Sequence, residues 1–253
     1  MRRFVMGDLH GAHSAMVQCL GRAGFDYEND HLIQLGDVAD GHTGVFNCVE
    51  ELLKVKNLIA IKGNHDVWFN EFIDTDFHPV FWQFGGKGTI LSYLEQKEGK
   101  KICIASGSGF KTSLNASDIP PSHREFFNSQ KPYHLSEDGY CFIHAGFDRR
   151  IAFDRQKESN YYWDRLLWTE ALASQQKGEP ASAFEMATTF NKIFIGHTAT
   201  TKWGTDKPMT ALNITNVDTG AGDTSGRRTI MDIDTGQYWQ SDPILELAHS
   251  DVV

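Results

Sequence analysis

The sequence of 253 residues predicts an α/β fold in which two β-sheets pack together and helices lie outside them. Two observations support this prediction. The first 62 residues alternate between strand-like and helix-like segments, and this β-α-β-α-β order predicts parallel strands joined by right-handed crossovers. After residue 197 the pattern changes to strand-like segments, which predicts that a second sheet packs on the first.

The first half of the chain contains both predicted strands and predicted helices. Ser14 is a candidate N-cap, and Ala15, Met16, Cys19 and Leu20 form one apolar face at helical spacing. In chain order we predict strand 4–6, helix 14–23, strand 32–35, helix 43–54, strand 58–62 and helical segments within 66–98, which break at Gly85-Gly86.

The second half is predicted to be richer in strands. In chain order we predict strand 101–105, a loop with a short helix over 115–132, strand 141–143, helix 159–174, and strands 192–195, 212–217, 228–233 and 237–240. The stretch 175–180 (QQKGEP) ends the helix before it. The last two strands pair as a hairpin across Asp234-Thr235-Gly236. We expect residues 1–253 to form a single domain.

The composition excludes several classes of protein. A net charge of −9 argues against broad binding to nucleic acids or anionic membranes, which requires basic patches. Cys19, Cys48, Cys103 and Cys141 are scattered without a C-x-x-C pair, so we expect free thiols. No signal-peptide apolar segment and no run of membrane-spanning length is present, so we expect a cytoplasmic enzyme.

Five short polar motifs occur in one order, each directly after a strand-like run. They are Gly7-Asp8-Leu9-His10-Gly11, Gly36-Asp37-Val38-Ala39-Asp40, Gly63-Asn64-His65-Asp66, His144-Ala145-Gly146 and Gly196-His197. Their carboxylate, imidazole and amide groups suit divalent ions such as Mn²⁺, Fe²⁺ or Zn²⁺. Because the carboxyl ends of strands in an open α/β sheet meet at one crevice, these side chains are expected to converge. The pattern predicts a two-metal hydrolase.

The order and spacing of these motifs resemble the calcineurin-like metallophosphoesterases. Within that family they resemble the phosphoprotein phosphatase branch, in particular its small bacterial serine/threonine protein phosphatase-like members. The flanking segments 85–89 and 216–220 also look like those members. The resemblance implies a four-layer α/β/β/α sandwich of two mixed β-sheets flanked by helices. It also implies two divalent metal ions as cofactors, with manganese expected first and iron or zinc as alternatives.

The resemblance also assigns roles to the motif residues. The implied metal ligands, with Asp37 as the bridging carboxylate, are Asp8, His10, Asp37, Asn64, His144 and His197. A metal-bridging hydroxide would attack phosphorus in line, and His65 would protonate the leaving group as general acid. Asp40 would orient the ring of His65. The alternative is that Asp40 only caps the helix that follows Gly41.

The chain departs from the family pattern at two phosphate-binding arginines. Gly41 stands where most members of the branch have the first, and Glu170 stands near the usual place of the second, after Leu167-Trp168. Without these two arginines we expect weaker binding of a dianionic phosphate monoester, because a guanidinium binds phosphate through two parallel hydrogen bonds. The candidate substitutes for these arginines are Arg149, Arg150, His42 and Arg165.

Three functions stay open at this stage. The first is a phosphatase for phosphate monoesters, acting on a phosphorylated protein or a small phosphorylated metabolite. The second, within the same family, is a hydrolase of diadenosine polyphosphates or other nucleotides, which needs an aromatic or basic pocket. Trp68, Trp82 and Trp168 are possible parts of such a pocket, but equally possible core residues. The third is a catalytically weak metal-binding interaction scaffold, which the intact ligand set opposes.

Overall fold

A computed structural model describes residues 1–107 and 109–247. The strands are β1 (Arg3–Met6), β2 (His31–Gln34), β3 (Asn57–Ala60), β4 (Cys103–Ser106), β5 (Gly109–Thr112), β6 (Tyr133–Leu135), β7 (Tyr140–Ile143), β8 (Lys192–Ile195), β9 (Met209–Ala211), β10 (Ile214–Asn216), β11 (Thr229–Asp232) and β12 (Tyr238–Gln240). The helices are α1 (His13–Ala23), α2 (Val45–Leu52), α3 (Asn64–Thr75), α4 (Gly86–Glu95), α5 (Pro121–Ser129), α6 (Glu158–Trp163), α7 (Leu166–Gln176) and α8 (Ile244–Leu247).

Two five-stranded mixed sheets form the centre of the protein. The first sheet has the order β12-β11-β1-β2-β3, and the second has the order β6-β7-β8-β10-β9. In the first sheet β1, β2 and β3 are parallel, while β11 pairs antiparallel with both β1 and β12. In the second sheet β7, β8 and β10 are parallel, with β6 and β9 antiparallel at the edges. The parallel strands therefore carry the loops in which the five motifs lie.

Alternating side chains on the central strands divide the core into three apolar layers. Phe4 packs with the helices that cover the first sheet, whereas its neighbour Val5 points into the layer between the sheets. In the second sheet Ile193 packs with the helices on its outer side, whereas Phe194 faces inward. The inward rings of Phe142 and Phe194 stack with their centroids 5.1 Å apart. The predicted four-layer sandwich is therefore confirmed.

Most of the predicted elements are present, with local differences. The hairpin across Asp234-Thr235-Gly236 is confirmed, since β11 and β12 pair antiparallel. Helix α1 begins at His13 and not at Ser14. The strand predicted at 101–105 is displaced to β4, which pairs with β5 in a separate two-stranded sheet. The sequence analysis missed β6 and β9, the short edge strands of the second sheet.

The helix predicted over 159–174 is two helices. Asp164 has an extended backbone (φ −62°, ψ 137°), which ends α6 at Trp163. The Asp164 carboxylate then accepts a hydrogen bond from the Leu167 backbone amide at 2.9 Å, in the first turn of α7. A pattern of apolar residues alone cannot reveal this break, because both helices bury apolar faces in one core layer. The break leaves Arg165 between the two helices.

Two further expectations concern cysteines and membrane segments. The four cysteines are free, as predicted, and Cys19, Cys48 and Cys141 are buried. Across the described ranges, no helix combines the length and apolar character that crossing a bilayer requires.

Candidate metal centre and active site

The five motifs come together where strands of both sheets end. Asp8 and His10 follow β1, Asp37 follows β2, and Asn64 begins α3 just after β3. From the second sheet, His144 follows β7 and His197 follows β8. Within the described ranges, two groups of histidine and aspartate atoms lie within 4.8 Å of one another: His10, Asp37 and His65, and Asp37, His144 and His197.

Asp37 lies at the centre of this arrangement. Its Oδ2 is 3.5 Å from His10 Nε2 on one side and 3.3 Å from His144 Nε2 on the other. Its Oδ1 accepts the backbone N–H of His65 at 2.9 Å. Asp37 is therefore the one carboxylate common to both groups.

The donor and acceptor balance around His144 favours a cation. His144 donates its Nδ1–H to the Leu35 carbonyl at 2.7 Å, so its Nε2 lone pair faces Asp37 and also Asn64 Oδ1 at 3.1 Å. Burial would lower the pKa of His144, but the Asp37 carboxylate raises it above the ordinary value. Three acceptors pointing at one another without a donor need either a proton or a metal ion.

His10 and His197 are held in the form that can bind a metal. Burial is the largest cause that lowers the pKa of His10 to about 3 and that of His197 to about 2, so both rings are neutral at physiological pH. His197 Nε2 is buried and has no hydrogen-bond partner among the residues described. A buried lone pair without a donor fits a metal ligand.

Asp8 is linked to the second sheet through the backbone. Its carboxylate accepts the His197 N–H, at 3.1 Å to Oδ2 and 3.3 Å to Oδ1. Burial, followed by the nearby Asp218 and Asp37 carboxylates, raises its pKa well above the ordinary value. The Asp8 carboxylate therefore also needs positive charge. A Cβ on Gly196 would collide with Asp8 Oδ1, which explains the glycine before His197.

Four of these residues have left-handed backbone conformations. The φ angles are +46° for His10, +52° for Asp37, +66° for Asp40 and +64° for His197, and they are four of the six non-glycine residues with positive φ in the described ranges. Each such conformation costs on the order of 1 kcal/mol. Backbone strain in this chain is therefore concentrated in the loops that present the polar side chains.

His65 and Asp40 form a buried pair beside these groups. Asp40 Oδ2 lies 2.9 Å from His65 Nδ1, and its Oδ1 accepts hydrogen bonds from Trp82 Nε1 at 3.0 Å and Thr89 Oγ1 at 2.7 Å. Burial would lower the pKa of His65, but the Asp37 and Asp40 carboxylates raise it to about 9. These two carboxylates therefore favour the protonated form of the His65 ring. Its proximity to His10 and Asp37 also leaves a ligand role geometrically open.

The candidate phosphate-binding residues occupy three different environments. Arg149 and Arg150 both form ion pairs with Glu170, at 2.7 and 2.8 Å, so their charges are compensated. The ring of His42 lines a separate cleft, and burial lowers its pKa to about 4, which leaves it uncharged. Arg165 donates to the His197 carbonyl at 3.2 Å and to Thr198 Oγ1 at 2.6 Å, beside the candidate metal centre.

Several residues that support the site were missed by the sequence analysis. Trp82 and Thr89 hold Asp40, but they are 42 and 49 residues away in the chain. Asp66 stands in the third motif without an assigned role. It accepts hydrogen bonds from the Val38, Ala39 and Gly63 amides and from Gln130, and so ties two site loops together.

Arg228 is a further missed support. It is fully buried and donates its Nε–H to the Leu9 carbonyl at 2.8 Å, inside the first motif. Burial lowers the pKa of Arg228 to about 10, which still leaves the guanidinium charged. No signal in the sequence singled it out, because it begins a predicted strand.

Comparison with known proteins agrees with this geometry. The family model of the calcineurin-like phosphoesterases matches residues 1–218, which include all five motifs, and the chain therefore belongs to that family. This is the family predicted from the motifs, and a phosphoric ester hydrolase is the enzyme class that this membership supports.

Individual relatives are similar over different extents. A 63-residue segment, 25% of this chain, is 33% identical to serine/threonine-protein phosphatase 1 of Salmonella typhimurium, and it spans 29% of that relative. The crystal structure of a candidate diadenosine tetraphosphatase superposes with a TM-score of 0.62 at 15% identity, covering 94% of this chain and 92% of that one. A metallophosphoesterase from Sphaerobacter thermophilus superposes with a TM-score of 0.56 at 16% identity, covering 100% and 95%. These two structures share the fold.

Proposed function

We propose that this protein is a two-metal phosphatase that hydrolyses phosphate monoesters. The observation that carries the proposal is the position of the Asp37 carboxylate between His10 and His144. Asp8, His10 and Asp37 would hold one ion. Asp37, Asn64, His144 and His197 would hold the other, with manganese proposed first and iron or zinc as alternatives. When bound, two such ions lower the pKa of a shared water and neutralise the phosphate oxygens.

His65 acts as the general acid in this proposal. Asp40 binds Nδ1 of the ring and so directs the other nitrogen, Nε2, away from itself. A proton held on Nε2 is available to the oxygen that leaves phosphorus, and Asp40 stabilises the imidazolium until the transfer. Asp40 is thus a positioning residue that acts through His65.

Arg165 is the arginine best suited to hold the phosphate. Its guanidinium is anchored by a carbonyl and a hydroxyl and has no carboxylate partner among the described residues, whereas Glu170 neutralises Arg149 and Arg150. It lies next to His197 and in the gap between α6 and α7. We infer that Arg165 takes over part of the role of the two arginines absent at Gly41 and Glu170.

Phosphorylated proteins or small phosphorylated metabolites are the proposed substrates. The Salmonella relative is named as a serine/threonine-protein phosphatase, which supports the first class. Nucleotides are the alternative substrate class, and the interaction scaffold is the alternative without catalysis. The buried His65–Asp40 pair beside the ligand atoms opposes the scaffold, because a protein that only binds metal needs no proton donor there.

A substrate panel with defined metals tests the proposal. The enzyme is stripped with a chelator, reloaded with Mn²⁺, Fe²⁺ or Zn²⁺, and assayed on p-nitrophenyl phosphate, phosphoserine and phosphothreonine peptides, and diadenosine tetraphosphate. We expect metal-dependent release of inorganic phosphate from the monoesters. Metal-dependent cleavage of the dinucleotide alone would favour the nucleotide hydrolase. Stoichiometric metal binding without turnover of any compound would favour the scaffold.

A further inference from the structure

Three aromatic side chains lie together beside the candidate metal centre, and two of them connect His65 with His197. Trp68 lies one helical turn after His65 on α3, and its ring is 4.5 Å from that of His65. It stacks on Phe81 at 5.6 Å and lies 5.3 Å from Trp163, whose ring is in turn 6.1 Å from His197. We call Trp68, Phe81 and Trp163 the aromatic wall.

The outer part of the aromatic wall is open to solvent. Phe81 is 51% exposed and Trp163 is 42% exposed, while Trp68 is buried beneath them. Within the described ranges, the most exposed phenylalanine and tryptophan side chains are Phe77, Phe81, Phe84 and Trp163. Three of these four therefore lie in one short segment, 77–84. Exposed aromatic surface next to a reactive site indicates ligand binding, because a folded chain otherwise buries such rings.

The direction of the proton transfer decides which part of the substrate meets the wall. The leaving oxygen must lie within hydrogen-bond distance of His65 to take its proton. Because Trp68 packs against the ring of His65 and Phe81 stacks on Trp68, a group attached to that oxygen comes close to the aromatic wall. A ring bonded directly to the oxygen reaches the wall, whereas a nucleobase is held away by its sugar. The further phosphates of a dinucleoside polyphosphate also bring extra negative charge to a chain of net charge −9.

We propose that the aromatic wall binds the ring of an aryl phosphate, so that the enzyme prefers esters whose leaving oxygen is attached directly to an aromatic ring. This inference rests on the proposed phosphatase function. The oxygen of water forms the new bond to phosphorus, the bond from phosphorus to the aryl oxygen breaks, and the electron pair stays on that oxygen. The oxygen takes the proton of His65, giving inorganic phosphate and a phenol, and the proton that the attacking water loses returns through solvent to His65.

Phosphonates that the enzyme cannot hydrolyse test ring binding by the aromatic wall independently of catalysis. Calorimetric titration of the Mn²⁺-loaded enzyme compares benzylphosphonate, which replaces the aryl oxygen by a methylene group, with propylphosphonate, which has no ring. We expect the ring to tighten binding about tenfold, the size of an aromatic contact with burial of the ring. Phe81→Leu and Trp163→Leu, at exposed positions that tolerate substitution, should each remove most of this difference. Tyr238→Leu on β12, 38% exposed, is the matched control and should keep it.

Kinetic measurements then show whether the aryl phosphate belongs to a protein or to a small molecule. The ratio of kcat/KM for phenyl phosphate to that for propyl phosphate should fall about tenfold in the two wall variants and stay constant in the control. If kcat/KM for a phosphotyrosine peptide equals that for phenyl phosphate, the substrate is a phosphorylated protein. If the peptide is hydrolysed much more slowly than phenyl phosphate, the substrate is a small aryl phosphate.

Three results would overturn the inference. The first is that the wild type binds the two phosphonates with equal affinity. The second is that the wall variants lose affinity equally for both phosphonates. The third is a defect confined to diadenosine tetraphosphate, which would make a nucleobase the occupant of the wall. Absence of metal-dependent hydrolysis in the wild type would refute the phosphatase function instead, while the phosphonate titrations would still report on the wall.

Discussion

Replacing Asp40 by asparagine tests how the general acid is held. All three partners of the Asp40 carboxylate are donors: His65, Trp82 and Thr89. Asparagine keeps one acceptor oxygen and replaces the other by an NH₂ group. Because Asp40 is fully buried, this NH₂ group must face one of the three donors. If the oxygen stays with Trp82 and Thr89, His65 loses its charged partner.

The size of the effect follows from that lost contact. A hydrogen bond between charged groups contributes about 1.5–3 kcal/mol, so kcat for an alkyl phosphate should fall roughly 10- to 150-fold. His65→Asn removes the acid itself and should lower kcat roughly 10²- to 10⁴-fold. p-Nitrophenyl phosphate should be affected much less in both variants, because its leaving group departs without protonation.

The assay measures kcat and KM for an alkyl phosphate and for p-nitrophenyl phosphate, with metal content determined on the same samples. Thr89→Ser keeps the hydroxyl that binds Asp40 and is the matched control, expected to behave like the wild type. An equal fall for both esters, or a fall explained by loss of metal, would show that Asp40 does not act through proton donation by His65.

Three further predictions concern other parts of the site. Gly41→Arg restores the residue that the family carries, yet it should lower kcat/KM, because Gly41 has φ +82° and a Cβ there would lie 2.9 Å from the carbonyl oxygen of the ligand candidate His10. Asp66→Asn should lower the free energy of unfolding of the metal-free protein by about 2 kcal/mol, measured by urea titration, because one buried acceptor is replaced by a donor. Arg165→Ala should raise KM for monoesters about tenfold, whereas Arg150→Ala should leave KM within about twofold.

Each of these expectations has a clear contrary result. A folded Gly41→Arg variant with a lower KM would show that the loop relaxes and that phosphate contacts the new guanidinium. Unchanged stability of Asp66→Asn would mean that water or a neighbouring residue replaces the lost acceptor. A larger KM effect at Arg150 than at Arg165 would mean that the ion pair with Glu170 opens when substrate binds.

The sequence predicted the parts of the site that depend on local pattern. The five motifs are short, and each follows a strand, so the meeting point of Asp8, Asp37, His144 and their neighbours follows from the parallel strand order. The apolar layers were equally predictable, because side chains alternate between the two faces of each strand.

What sequence could not give depends on contacts between distant segments. Nothing local links Asp40 to Trp82 and Thr89, and the break at Asp164 depends on one carboxylate capping the next helix. The pairing of Arg149 with Glu170 likewise needs the fold, because 21 residues separate them. Only such long-range contacts distinguish Arg149 and Arg150, whose charges Glu170 neutralises, from Arg165.

Metal stoichiometry tests the central claim most directly. Elemental analysis of metal-replete protein should find two divalent ions per chain. Asp37→Asn should lose at least one, because an amide offers a single neutral oxygen in place of a shared carboxylate. Asp40→Asn is the matched control, since both aspartates are buried and have a left-handed backbone that asparagine tolerates, and it should keep two ions. One ion or none in the replete wild type, or two ions retained by Asp37→Asn, would contradict a centre built around Asp37.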